Sequence, residues 1–539
     1  MKLNNIKVYL SAAAFALAVG TTSCVGDLDV EPINPQQTMT LDQDALLNKI
    51  YASFCLTGQE GPSEPDGEGD VPGDEGQSDF YRMTWYMNEF TTDEAHWVWI
   101  SDPGLPDLLH NNYGASNAFS SGLYYRLYFT ITLCNFFLDQ TSDDDSETAK
   151  QRAEVRFIRA YNYYYIMDLY GNAAFTTSVS SELAPRYERK QFYEFVENEL
   201  LEIEPILSEP GQTTYGRVDK CAAWMLLSRL YLNAEVYTGT AQWQNAQDYA
   251  AKVINNGYYK LNTTGATNPV TGEKYSAYQM LFLADNNETT AKYEAIIPVL
   301  NDGVNTNSYG GMNFLILSTF AAAMDADIPS GTDCSWGKCT RVRGTLLDKF
   351  FSSDAPQTNS IAEMTAAAQD DRALFYGEGY THRIADETDA NAGFGCVKFR
   401  NVRSDGTPNQ VINFVNTDLF LMRVAEAYLT YAEASTRING TNADASEKIN
   451  VLRNRANATT KNLYDLNDIC DEWSREFWFE GRRRMDLVRF GRYAGQAAYK
   501  WEWMGGQANG AQFGSHMSIY ALPIADLSNN SNLTQNPGY

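Results

Sequence analysis

Helical periodicity constrains the fold of this chain more than any other feature of its sequence. From Gln151 to Leu169, apolar and aromatic residues recur every three or four positions, as on the buried face of an α-helix. Asp219 to Asn233 keeps this period and carries the W-x2-L-x3-Y spacing of a tetratricopeptide first helix, on Trp224, Leu227 and Tyr231. Ala246, Ala250 and Val253 follow as a candidate second helix. The pattern predicts helices that pack in pairs.

Other stretches repeat this pattern. Leu41 to Thr57 is predicted as a helix, and Asp418 to Arg437 with Asp444 to Ala456 as a further pair. Because each pair buries its apolar face against the next one, the sequence predicts a mainly α fold, a tetratricopeptide-like α-solenoid of about four helix pairs. We expect these helices mainly within residues 41–57, 116–261 and 411–500.

Two segments break the helical period. Residues at about 80–115 mix aromatic side chains with Pro, Gly and Asn, and residues at about 262–410 are rich in Gly, Asn, Thr and Asp. Irregular segments carried by a rigid scaffold are where binding residues tend to lie. We therefore expect these two segments to form an irregular, loop-rich ligand-binding face.

The N-terminus has the layout of an export signal. Lys2 and Lys7 precede an apolar run, Val8 to Val19, that is too short to span a bilayer. Small residues and then Cys24 follow, so residues 1–23 are predicted as a signal peptide and 24–539 as one mature domain. A Cys in this place resembles a lipidated bacterial lipobox, with plain signal cleavage as the alternative. If Cys24 is lipidated, the lipid anchors the mature domain to a membrane.

The charge of the chain argues against nucleic acid as a partner. The 539 residues include 41 Lys and Arg but 68 Asp and Glu, which gives a formal net charge of -27. Phosphate binding needs clustered basic residues, and this balance does not favour them. Aromatic residues make up 13% of the chain, which is enough to supply both a core and a stacking surface.

Common catalytic motifs are missing. The chain has four His and neither an H-E-x-x-H nor a G-x-S-x-G sequence. We therefore predict a protein that is not an enzyme. Paired carboxylates of a glycosidase type stay open as an alternative, since sequence cannot supply their separation. Cys334 and Cys339 flank Trp336, and an oxidising compartment would permit a disulfide between them.

Three blocks, in the right order, resemble a known family. Arg156 to Asn172 is similar to the R-F-x-R-A-x-x-Y…D-L-x-G stretch of SusD/RagB proteins. Arg475 to Gly491 resembles their R-E-x-x-x-E-G-x-R-x-x-D-L-x-R-x-G block. Leu522 to Tyr539 resembles their C-terminal P-I-P…Q-N-P-G-Y tail. The lipobox and the acidic residues after it, Asp27 to Glu31, also fit.

The resemblance implies a function and a partner. It implies a non-catalytic lipoprotein that is exposed on the cell surface at the outer membrane and serves polysaccharide uptake. The implied ligand is an α-glucan, starch or its malto-oligosaccharides, because the match is closest to the starch-binding part of the family. The implied partner is a TonB-dependent transporter of SusC type, which the lipoprotein covers as a lid. The open alternatives are a different glycan, a peptide, a surface glycoside hydrolase, or a scaffold without a soluble ligand.

The resemblance also implies the site residues. It assigns an aromatic arc that cups a curved glucan and polar groups that bind its hydroxyls: Trp99, Tyr309 and Trp336, with Arg82 and Asp102. The family's starch-binding member has what looks like Asn at position 102, and a carboxylate accepts hydroxyl hydrogens but donates none. Trp97 alternates with Trp99, so on an extended segment both share a face and Trp97 is a further candidate.

A metal site is implied as well. Asn287 and the segment from Asn416 to Asp418 resemble a structural calcium site, with Asn at two positions that look like Asp in the family. Amide oxygens still bind calcium, but we expect weaker binding. No cofactor is expected to be required.

Overall fold

The computed structural model describes residues 41–58, 61–63, 69–73 and 75–539. The predicted signal peptide, Cys24 and the acidic segment after it lie outside the described residues. Residues 47–539 form one compact unit. Among the described residues, every helix is too short or too polar to cross a bilayer.

Helices dominate the described residues, as the sequence predicted. In chain order they are α1 Gln43–Ala52, α2 Glu75–Ser78, α3 Phe80–Trp85, α4 Leu105–Leu109, α5 Ala118–Gln140, α6 Ser146–Tyr165, α7 Arg189–Ile203, α8 Lys220–Leu232, α9 Ala234–Thr238, α10 Trp243–Ile254, α11 Gly311–Thr319, α12 Ala322–Asp327, α13 Gly344–Leu347, α14 Ile361–Ala368, α15 Ala425–Asn439, α16 Ala443–Arg455, α17 Leu466–Phe477, α18 Arg483–Arg489 and α19 Ile524–Asn529. Short 3-10 turns occur at Gly61–Ser63, Gln279–Phe282, Thr290–Tyr293, Met504–Gly506 and Ser515–Ser518, and π-helical turns at Tyr86–Phe90 and Ile166–Tyr170.

The strands are short and pair antiparallel. They are β1 Ala95–Trp97, β2 Ala173–Ala174, β3 Arg186–Tyr187, β4 Ala266–Thr267, β5 Lys274–Tyr275, β6 Ala295–Val299, β7 Thr340–Val342, β8 Phe375–Tyr376, β9 Gly395–Cys396 and β10 Leu419–Arg423. The pairs are β1 with β7, β2 with β3, β4 with β5, β6 with β10 and β8 with β9. The irregular segments predicted from sequence therefore hold several two-stranded ribbons.

Consecutive long helices pack against each other. The pairs α5 and α6, α6 and α7, α8 and α10, and α15 and α16 are neighbours, and α10 also packs on α15. The helix predicted from Asp219 to Asn233 is confirmed as α8, where the Asp219 side chain accepts the backbone N–H of Cys221 and thus caps the first turn. The helix predicted from Gln151 to Leu169 is confirmed as α6 with its π-helical turn, and Gly171, with a φ of 72°, ends it.

One predicted helix begins too early. The sequence predicts a helix from Asp418, but Leu419–Arg423 is strand β10, and α15 begins at Ala425. Strand β10 pairs with Ala295–Val299, more than a hundred residues earlier in the chain. Four consecutive apolar residues, Leu419 to Met422, fit a buried strand as well as a helix, and the distant partner decides between the two.

A buried network of charges lies behind the second motif block. Glu476 accepts from Arg423 at 2.6 Å and also from Arg455, and Glu480 accepts from Arg423 at 2.8 Å. Glu472 joins through Arg372 at 2.8 Å. All of these side chains are buried. Their arginine partners hold the pKa of Glu472 and of Glu476 at about 2, well below the ordinary value. This part of the motif therefore builds the core.

Candidate functional site

Two of the predicted aromatic residues meet at the surface. The ring centroids of Tyr309 and Trp336 lie 6.2 Å apart, with their planes inclined by 60°. Tyr309 is 38% exposed, and Trp336 is half-buried. Trp336 is anchored on α11, because its backbone N–H donates to the carbonyl of Leu317 at 2.7 Å. The two rings therefore form an angled surface that a curved ligand can enter.

Arg82 lies beside this pair of rings. Its guanidinium carbon is 5.1 Å from the centroid of the Trp336 ring, which is cation–π distance. Its Nε donates to the hydroxyl of Tyr86 at 3.0 Å, and one Nη faces the carbonyl of Tyr309 at 3.4 Å. The side chain is half-buried, so part of the guanidinium is left for a ligand. The structure thus brings Arg82, Tyr309 and Trp336 together.

Trp99 and Asp102 lie on a turn that follows β1. Trp99 is 46% exposed, and the N–H of Asp102 donates to its carbonyl at 3.1 Å, which closes the turn. Strand β1 pairs with β7, and the N–H of Val98 donates to the carbonyl of Cys339. Since Trp336 precedes Cys339 by three residues, this ribbon brings the turn and the Trp336 loop to the same end.

Trp97 is more deeply buried than Trp99 and Asp102. Its side chain is buried, at 2% exposure, and the indole N–H donates to Oδ2 of Asp102 at 3.0 Å. Its ring meets that of Trp99 edge to face, with centroids 5.5 Å apart. In this structure Trp97 therefore orients Asp102 and supports Trp99 from below.

Sequence reasoning missed a buried residue that joins two helix starts beside this site. Asp79 caps α3, where its Oδ1 accepts the N–H of Arg82 at 2.6 Å, and the same atom accepts the N–H of Gly311 at 3.1 Å. One carboxylate thus joins the first turns of α3 and α11. Burial raises the pKa of Asp79 from its ordinary value, while the two N–H donors oppose that shift. The cue in the sequence is an Asp immediately before an apolar helix start.

The residues of the predicted calcium site share a simple property. Oδ1 of Asn287, Oδ1 of Asn416 and Oδ2 of Asp418 are buried and lack a hydrogen bond of good geometry, although the Tyr215 hydroxyl and the Asn287 side chain lie beside the Asp418 carboxyl group. Burial raises the pKa of Asp418 to about 7. In the part of the chain that the structure describes, no three His, Cys, Asp or Glu side chains form a metal-binding group. Amide and carboxylate oxygens are the ligand types that calcium accepts.

The cysteines and the remaining tryptophans take structural places. Cys334 is exposed and Cys339 is buried, and both are free thiols. The Sγ of Cys339 instead faces the carbonyl of Ser318 at 3.6 Å. The side chains of Trp85, Trp473, Trp478 and Trp501 are buried in the core, as expected for packing residues.

The site combines flat apolar rings with one cation, Arg82, and one carboxylate, Asp102. The C–H faces of a sugar ring stack on aromatic rings, and its hydroxyls need a few convergent polar partners. Arg82 can donate, and an ionised Asp102 can accept. No nucleophile or acid–base pair belongs to this group of residues.

Comparison with known proteins agrees with this description. A family model described as "SusD family" matches residues 338–539, and one described as "Starch-binding associating with outer membrane" matches residues 28–232. The starch-binding protein SusD of Bacteroides thetaiotaomicron is 41% identical over 100% of both chains. A SusD-like protein of Bacteroides ovatus is 26% identical over 69% of this chain and 66% of its own length.

Solved structures share the fold at lower identity. A SusD-like carbohydrate-binding protein of Bacteroides fragilis superimposes with a TM-score of 0.68 at 19% identity, covering 91% of this chain and 98% of its own. Surface glycan-binding protein A of Bacteroides uniformis gives a TM-score of 0.64 at 19% identity, with coverages of 92% and 98%. On the strength of the full-length relative, the chain belongs to the SusD family.

Proposed function

We propose that this chain is a non-catalytic surface protein that binds α-glucan, as starch or malto-oligosaccharides. The observation that carries the proposal is the angled pair of Tyr309 and Trp336 with Arg82 against the Trp336 ring. The 41% identity to a starch-binding protein supports the ligand class. The residues that we assign to the ligand are Trp99, Tyr309, Trp336, Arg82 and Asp102, with Trp97 acting through Asp102.

The mechanism follows from the shape of the ligand. An α-1,4-linked glucan curves, so successive glucose rings present their faces at changing angles. Two rings inclined by 60° fit a curved α-linked chain better than they would fit a flat β-linked chain. Trp99, which is exposed on the neighbouring turn, supplies the third ring of the arc. Stacking therefore selects the ligand by shape.

The polar groups then fix the orientation of each sugar. Arg82 donates to hydroxyl or ring oxygens, and Asp102 accepts hydroxyl hydrogens. Because the indole N–H of Trp97 already occupies Oδ2 of Asp102, we expect Oδ1 to face the ligand. A site with so few charged hydrogen bonds binds with modest affinity, which suits a ligand that must be released again.

The proposal includes a location and a partner. Residues 1–23 would direct export, and lipidation of Cys24 would anchor the mature domain, residues 24–539, at the outer membrane and facing outward. The bound glucan would pass to a TonB-dependent transporter of SusC type. The packed helix pairs would form a tetratricopeptide-like solenoid that carries the loop-rich binding face. The family model described as associating with the outer membrane supports this location.

We also propose a structural calcium ion, with no required cofactor. Asn287, Asn416 and Asp418 would hold it, since each offers a buried oxygen without a hydrogen bond of good geometry. Six to eight oxygen ligands are usual for calcium, so backbone carbonyls or water would complete the shell. The ion would neutralise the buried Asp418 carboxylate and take no part in binding glucan.

Calorimetry with maltoheptaose tests the proposed function. The soluble mature domain should bind, and Trp336→Ala should abolish measurable binding because it removes one of the two facing rings. Trp243→Ala, on helix α10 and outside the binding face, serves as the matched control and should bind like the parent. Absence of heat from the parent protein would overturn the starch assignment and favour another glycan or a peptide. Shorter products after incubation would instead indicate a glycoside hydrolase.

A further inference from the structure

A buried lysine lies at the base of the loop that presents Trp336. Lys338 is 2% exposed, and its backbone N–H donates to the carbonyl of Phe320 at 2.7 Å. The N–H of Trp336 donates to Leu317 in the same manner. On this side, backbone hydrogen bonds hold the loop to α11 and to the residue that follows it.

The side chain of Lys338 reaches a different part of the chain. Its Nζ donates to the carbonyl of Gly393 at 2.8 Å and lies 3.6 Å from the centroid of the Tyr380 ring. Among the described residues, no carboxylate oxygen lies within 4.0 Å of this ammonium. A carbonyl and an aromatic face are therefore the groups that hold it.

The backbone at this point is strained for a lysine. Gly337 has a φ of 68° and Lys338 a φ of 54°, so two consecutive residues occupy the left-handed region. Glycine adopts this region without penalty, but a lysine does so at a cost that the surrounding contacts must offset. Because the side chain of Lys338 is buried, its contacts with Gly393 and Tyr380 provide that offset.

A second cation holds the same partner segment. Arg341, on β7, donates to the carbonyls of Asp389 and Ala392 at 2.5 and 2.8 Å, and also to the carbonyl of Glu387. Burial and, to a smaller extent, Arg341 lower the pKa of Lys338 to about 7, while Asp389 opposes the shift. The side chains of Lys338 and Arg341 thus both donate hydrogen bonds to carbonyls of the segment from residue 387 to residue 393.

We propose that Lys338 is a positioning residue for Trp336. Its ammonium ties the loop that carries the Trp336 ring to Tyr380 and Gly393, and so fixes the angle at which that ring meets a ligand. The role of the ring in binding glucan rests on the proposed function. The anchoring of the loop does not.

Two measurements on matched variants test this role. Lys338→Met keeps the length of the side chain but removes the ammonium, and Lys338→Arg keeps a cation. Lys398→Met is the control, because Lys398 is also buried but donates to Trp478 and Glu480 in the core network. Hydrogen–deuterium exchange of the ligand-free protein reports on residues 331–338, and calorimetry reports the affinity for maltoheptaose. Tyr380→Leu replaces Lys338→Met if that variant fails to fold.

We expect faster exchange across residues 331–338 and an affinity roughly fivefold lower in Lys338→Met. Lys338→Arg should restore most of the exchange protection of residues 331–338 and most of the affinity. Lys398→Met should change neither the exchange of residues 331–338 nor the affinity. Unchanged exchange in Lys338→Met overturns the proposal whatever the glycan does. Faster exchange with unchanged affinity also overturns it, because Trp336 would then bind without this anchor. Faster exchange in a protein that binds no maltoheptaose supports the anchor and overturns the proposed function instead.

Discussion

Gly310 lies so close to the Asp79 carboxyl group that any larger residue at position 310 would have to displace that group. A Cβ built on Gly310 would be 2.0 Å from Cγ of Asp79 and 2.1 Å from its Oδ2, far inside van der Waals contact. Gly310 precedes α11 directly and follows Tyr309, whose ring belongs to the candidate site. This contact therefore fixes the distance between the start of α3, which carries Arg82, and the loop that carries Tyr309.

Gly310→Ala should weaken glucan binding strongly. The added methyl group must push Asp79 away, which breaks the hydrogen bonds that join α3 and α11 and displaces Tyr309 from Arg82. We expect maltoheptaose affinity to fall by about tenfold or more and the thermal midpoint to drop. Gly114→Ala is the control, since nothing lies within 4 Å of a Cβ at that position. Equal affinity in the two variants would contradict the coupling.

Asp102 can be examined through its two possible replacements. Asp102→Asn keeps an oxygen that accepts the Trp97 indole N–H and adds a donor toward the ligand, so affinity should stay within about twofold of the parent. Asp102→Ala removes the acceptor and should cost roughly tenfold. Isothermal titration with maltoheptaose measures both. Similar losses in the two variants would show that the charge itself, and not the acceptor, is needed.

Glu476→Gln should affect stability without affecting binding. The change removes one of the buried carboxylates that compensate Arg423, Arg455 and Arg372, and losing a charge from a buried ion-pair network costs about 3–5 kcal/mol. Urea unfolding measures the loss. Glu194→Gln is the control, because its partner Lys190 lies 3.9 Å away on the surface, and we expect less than about 1 kcal/mol there. If Glu476→Gln lowered the glucan affinity as well as the stability, the buried network would have to contribute to binding.

Asp418 predicts a pH dependence with a definite sign. Its pKa is raised to about 7 in the folded protein, so between the ordinary value of 3.8 and about 7 the folded state binds the extra proton. The contribution of this group to stability therefore falls as pH rises through that range, and Asp418→Asn removes the fall. With a chelator present, the difference between the thermal midpoint of the variant and that of the parent should shift in favour of the variant as the pH rises from about 5 to about 8.

Calcium should reverse this difference if the proposed ion binds. Millimolar calcium should raise the thermal midpoint of the parent at about pH 8, where Asp418 is ionised, and leave Asp418→Asn nearly unchanged. Magnesium, which demands a tighter octahedral shell, should do less. No response of the parent to calcium would refute the metal site and leave the pH prediction standing.

The helices followed from the sequence because their signals are local. Helix α8 begins at its Asp219 cap and runs over the predicted apolar period, since each backbone hydrogen bond joins residues four apart. The rings of Trp99, Tyr309 and Trp336 were also named in advance, but through the likeness of short segments to a known family.

Tertiary structure alone decided how those segments meet. Residues 419–423 became a strand because a distant segment, Ala295–Val299, satisfies their backbone groups, and no local pattern reports such a partner. The burial of Trp97 against Asp102, the contact between Asp79 and Gly310, and the reach of Lys338 to Tyr380 depend likewise on residues far apart in the chain or on packing. The sequence by itself determined which side chains are present and which helices carry them. Only the close packing of distant segments set the angles and hydrogen bonds that make a surface out of them.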